Sequence, residues 1–153
     1  MHAIALFLAV SVGAVGGETP QEHVHHESAN VMPFEMAKTL HVFRMTELGG
    51  EQRVIVRGGA DRAAQIRMIR EHLLKLRERF AAGDYGDPAT LHGARMPGLG
   101  ELRVGAARVH VGYADLPDGA ALTFETRDPH LLTEIHRWFG AQLSEHGADA
   151  VAE

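Results

Sequence analysis

The chain has 153 residues, no cysteine and a formal net charge of -5. That length fits one domain with a core of its own, and the lack of cysteine excludes disulfides, thiolate metal sites and cysteine nucleophiles. An acidic excess with both signs interspersed argues against a nucleic-acid surface, while eleven histidines is a high count for such a chain.

Ala3 to Val15 is almost wholly apolar and is followed by Gly16 and Gly17. The run is too short to span a bilayer comfortably and matches the apolar core and small-residue cleavage region of a secretory signal, although only His2 stands where a positive start belongs. The expectation is an exported chain, periplasmic or secreted, with residues 1–17 as the signal and no membrane span once it is removed. A misplaced start or an uncleaved interfacial anchor are the alternatives. Residues 18–33 are polar and aperiodic, with Glu18, Pro20, Glu22, His23, His25, His26, Glu27 and Pro33, and read as a disordered, His-rich leader.

Residues 34–150 read as a single α+β domain. Thr39 to Glu47 alternates, with His41, Phe43 and Met45 on one face, and Gly49-Gly50 fits a hairpin turn before a strand from Gln52 to Arg57. Asp61 then caps a helix over 61–82 whose apolar stripe is Ile66, Ile69, Leu73, Leu76 and Phe80, stopped by Gly83. The plan repeats. Arg108 to Asp115 alternates, Pro117-Asp118-Gly119 turns the chain, Ala121 to Thr126 returns, and Asp128-Pro129 opens a helix over 128–146 that Gly147 ends. This ββα-ββα pattern predicts a four-stranded antiparallel sheet made of two hairpins, with both main helices on one face. The long connection from Asp84 to Ala106 is more often functional than an ordinary link.

Histidine placement carries the chemical reading. His23, His25 and His26 form a compositional metal signal in the leader, since neutral imidazole binds copper, zinc and nickel. Within the domain, His41 shares a strand face with Phe43, His72 borders the first helix's apolar stripe, and His92 and Met96 lie in the long connection. Gln142 and His146 fall within the apolar face of the last helix, where a polar group needs a partner or a ligand. If these positions converge, imidazoles with the Met96 thioether suit copper, and imidazoles with a carboxylate suit zinc. No ligand-spacing motif supports the grouping. For each residue the ordinary alternative is a satisfied core or cap residue, or for the leader a solvated linker. His110 is read as pointing outward and His136 as a helix-edge residue. The Arg and Lys residues of the first helix, Arg62 to Arg79, read as a solvated face.

No phosphate-binding glycine loop, no G-x-S-x-G elbow and no H-E-x-x-H is present, so an enzyme is the less favoured class. An acid–base pair of His92 with Asp84 or Asp87 has no positive support.

The pieces Pro33-Phe34-Glu35-Met36-Ala37, Thr39-Leu40-His41-Val42-Phe43, Met96-Pro97-Gly98-Leu99, His136-Arg137-Trp138-Phe139-Gly140-Ala141-Gln142 and Glu145-His146-Gly147-Ala148-Asp149-Ala150 resemble a set of small exported bacterial proteins. That resemblance implies no defined activity or cofactor. Chains of this kind can carry a carbamoyltransferase label, but this one is too short for that two-domain fold and holds no phosphate-binding motif. The leading expectation is an exported protein that binds copper or zinc through His41, His72, His92, Met96 and His146, with the leader as a separate, weaker site. A metal-free interaction module is the alternative, and a haem binder with Phe43 or Trp138 lining the pocket is a further one.

Overall fold

The structure, a computed structural model, describes residues 17–153. The expected export signal therefore lies, apart from Gly17, outside the described residues.

Helix α1, Pro20–Val31, occupies the segment expected to be a disordered leader. The Thr19 hydroxyl accepts the Glu22 N–H, the Glu22 carboxylate accepts the Thr19 N–H in return, and Pro20 takes the first helical position. This capping box satisfies two of the N–H groups that a helix start leaves open. The polar composition hid the helix because only Val24 on it is fully buried. Val24 packs with Met36 and Leu91 in a small satellite core under which Met32 also tucks.

A short 3-10 turn, Met36–Lys38, leads into β1, Thr39–Thr46, which pairs antiparallel with β2, Gly49–Val56. The expected turn at Gly49-Gly50 is displaced by two residues. Glu47 and Leu48 make the turn, and both glycines belong to β2. Their role is close packing: a Cβ at Gly49 would sit 1.8 Å from the Phe124 carbonyl oxygen, and one at Gly50 would sit 2.4 Å from the Phe139 ring. Met45, expected beside His41 and Phe43, is largely exposed near this end of the strand.

Helix α2, Arg62–Ala81, follows, then two short helices, α3, Gly86–His92, and α4, Leu99–Gly105. Strands β3, His110–Leu116, and β4, Gly119–Glu125, form the second hairpin around Pro117-Asp118. Helix α5, Pro129–His146, starts at Asp128, whose carboxylate accepts the N–H groups of His130 and Leu131. Its end comes at Gly147, with φ at +56°. Gln21 of α1 lies against the Gly147 α-carbon, where a side chain would collide with it.

The sheet corrects the expected four antiparallel strands. Among the described residues it has five, in the order β3-β4-β2-β1-β5, and β5, Ala150–Ala152, runs parallel to β1. Three residues are too few to show alternation in a sequence, yet they cover the backbone edge that β1 would otherwise expose. Both long helices lie on one face. Trp138 of α5 meets Phe80 of α2 and Phe124 of β4 edge-on, at 5.8 and 5.3 Å between ring centres. The apolar stripe expected on the first helix is buried, except Ile66, which is only partly covered because the buried position on that turn belongs to Gln65. The Gln65 amide is held by Glu35 and Asp61. No helix among the described residues is long and apolar enough to cross a membrane.

Candidate functional site

Beneath α1 and between α2, α3, α5 and the sheet lies a partly open cavity of about 40 Å³. That is room for one or a few water-sized groups. Its walls are largely apolar, from Phe34, Leu73, Leu76, Leu91 and Trp138, and into this lining come His41, His72, His92, His146 and Gln142. Histidines separated by as many as 105 positions, His41 and His146, meet here. β1 carries His41, α2 carries His72, and α3 and α5 end on His92 and His146. A helix terminates in a partial negative charge, so both terminal histidines occupy places that favour a cation.

Three of the rings touch in series. His41 and His146 lie 4.7 Å apart between centres, and His146 and His92 lie 5.0 Å apart. Phe34 separates this trio from His72, edge-on to the His72 ring at 5.7 Å and tilted against His41 at 6.3 Å. His92 Nδ1 is 2.7 Å from a Glu145 carboxylate oxygen, and the His92 side chain is 1% exposed. Asp149 lies near enough to His41 to favour its protonated form. After these contacts, His41 Nδ1, His92 Nε2, His146 Nδ1 and Gln142 Nε2 are buried with no hydrogen-bond partner. Each such atom costs about 1–3 kcal/mol relative to a satisfied one, so four around one small cavity form an unusual concentration.

Burial holds these imidazoles neutral. It pushes His41 down to about 4, with Asp149 opposing and His92 and His72 adding to the effect. His146 is pushed well below its ordinary value by burial first and then by His41, His92 and His25. Burial also lowers His92 against the opposing pull of Glu145, and lowers His72 against that of Asp87. Neutral imidazole has one free lone pair, the form that accepts a proton or ligates a metal.

The remaining expected residues lie elsewhere. Met96 does not line the cavity; it is buried in the main hydrophobic core, filling space as an apolar side chain. The α1 backbone turns His25 away from His23 and His26, which both approach Glu18. His25 Nε2 meets Asp149 at 2.5 Å, His23 Nδ1 lies 3.4 Å from Glu18, and His26 is exposed near Glu18. His136 donates to the carbonyls of Thr46 and Gly49, closing the β1–β2 turn, and His110 is exposed. The Gln142 amide nitrogen, on the same face of α5 as His146, is itself unpartnered. The orienting groups that sequence reading missed are Glu145, one residue before His146, and Asp149. Their partners lie far off in sequence, so no local signal marked them.

As the side chains stand, no three His, Asp or Glu residues among those described are placed to hold a metal ion together. Zinc and copper sites with three imidazoles and a supporting carboxylate nevertheless use this donor set, and the unpartnered nitrogens are the atoms such a site employs. A haem fits poorly, because cofactor pockets measure about 300–1,000 Å³. No protein-family model, no curated protein and no solved structure matches the chain.

Proposed function

We propose that the protein binds one transition-metal ion, copper or zinc, in the cavity through His41, His92 and His146. The observation that carries this reading is the set of three buried imidazole nitrogens, one on each ring, that have no hydrogen-bond partner and line one cavity. An isolated unpartnered nitrogen is a local cost. Three on neighbouring neutral rings form a donor set that a cation would satisfy at once. Binding requires the rings to turn so that all three nitrogens approach one point, since the present arrangement is not closed around an ion. Glu145 would fix His92 with Nε2 free, as carboxylates do behind metal-bound imidazoles. His72, behind Phe34, would lie outside the coordination shell.

A calorimetric titration of copper or zinc into the full chain tests this. One tight equivalent is expected, lost in His146→Ala and retained in His26→Ala, whose side chain is outside the cavity. No tight equivalent in the parent protein, or full binding by His146→Ala, would refute the reading.

A further inference from the structure

His92 belongs to two spaces. It lines the inner cavity, and it also lines a surface pocket with Glu18, Thr19, Pro20, His23 and Glu145. It is the only residue common to both linings. We infer that this surface pocket is the access site through which a divalent cation reaches the cavity, with Glu18, His23 and Glu145 receiving the ion and His92 passing it inward. This rests on the proposed metal-binding reading.

Three observations support the assignment. The outer lining brings two carboxylates and an imidazole, the donor types a divalent cation takes, although as they stand the three are not closed around one point; Glu18 and His23 are each a little under half exposed and Glu145 about a quarter exposed. The His92 ring is nearly sealed, yet its two nitrogens differ. Nδ1 is engaged by Glu145 of the outer pocket, whereas Nε2 is buried and unpartnered. An imidazole so placed can release one contact and make the other without leaving its position. Finally, the histidines of α1 divide by role. His25 is tied to Asp149, and His26 approaches Glu18 from the exposed side without entering the lining, so His23 is the one of the three that lines the pocket. His23 is also close enough to lower the basicity of His92.

An access site changes rates and leaves the inner affinity alone. The test is stopped-flow mixing of zinc with the full metal-free chain, followed by transfer of zinc out to a chromophoric chelator. His23→Ala and Glu18→Gln should each slow loading and release about tenfold, with Kd within twofold of the parent. Both positions are on the surface, and circular dichroism checks that the fold is kept. Parent-like rates in both variants would overturn the inference. So would a weakened Kd with an unchanged loading rate, because that makes the residues ligands. If the parent chain takes up no zinc or copper, the metal reading itself fails and the access site falls with it. If the parent binds and only the variant rates are unaltered, the access site alone is rejected.

Discussion

The imidazoles of His41 and His146 lie 4.7 Å apart between ring centres, one fixed to the sheet and the other on the last residue of α5, and both are sealed from solvent. Two protonated rings at that separation would repel strongly in a low-dielectric interior. The fold therefore holds them neutral, and the pair couples the metal-binding reading to stability.

Acid should destabilise the metal-free protein through this pair. The His41 ring titrates near 4 when folded and at 6.5 when free of the fold. The unfolded chain thus binds more protons in that interval, and stability rises with pH across it. His41's contribution is fully present above about pH 6.5 and is lost as pH falls toward 4, a change of roughly 3 kcal/mol from this group. His146 acts in the same direction. Denaturant midpoints measured from pH 7 to 4 should fall steeply, and the fall should be blunted in His41→Gln. A flat profile in the parent would show that the rings do not stay neutral.

Replacing His146 by Leu should raise the stability of the metal-free protein by about 1–2 kcal/mol. The substitution removes a buried, unpartnered nitrogen, whose penalty is about 1–3 kcal/mol, and leaves an apolar group against Phe43 and the neutral rings of His41 and His92. The same variant should lose metal binding. A lower denaturation midpoint would mean that Nδ1 is already satisfied in the metal-free protein.

Glu145→Ala should weaken metal affinity by about 10–100-fold while leaving one binding equivalent, because a carboxylate behind a ligating imidazole fixes its tautomer. The Glu145 oxygen sits 2.7 Å from His92 Nδ1. Nitrogen NMR of His92 should show a mixture of tautomers in the variant and one in the parent. An unchanged spectrum would remove Glu145 from the site.

Trp138→Ala should cost about 3–5 kcal/mol, as for a large side chain deleted from a packed core. Trp138 is 1% exposed and meets Phe80, Tyr85 and Phe124 edge-on. A small shift in the denaturation midpoint would show that these rings do not form the centre of the core.

Alternation in Val54 to Val56 and helical spacing from Ile69 to Phe80 made the hairpins and long helices legible, because each element buries one face. Helix α1 was not, since its fixed points are a capping box and contacts to residues more than sixty positions away, such as Leu91. β5 escaped notice because its three residues take their strand geometry from β1. His41 and His146 were recognisable as polar groups on apolar faces, which local periodicity reports. That Phe34 would stand between His72 and the trio, or that Met96 would fill the core, depended on how the long connection folds back, and periodicity carries no such information.

X-ray absorption at the zinc edge, on the full chain loaded with one equivalent, bears most directly on the three-imidazole site. Three imidazole nitrogens at about 2.0–2.1 Å are expected, falling to two in His92→Ala if that variant retains the ion. A shell of oxygen ligands with one imidazole or none would contradict it.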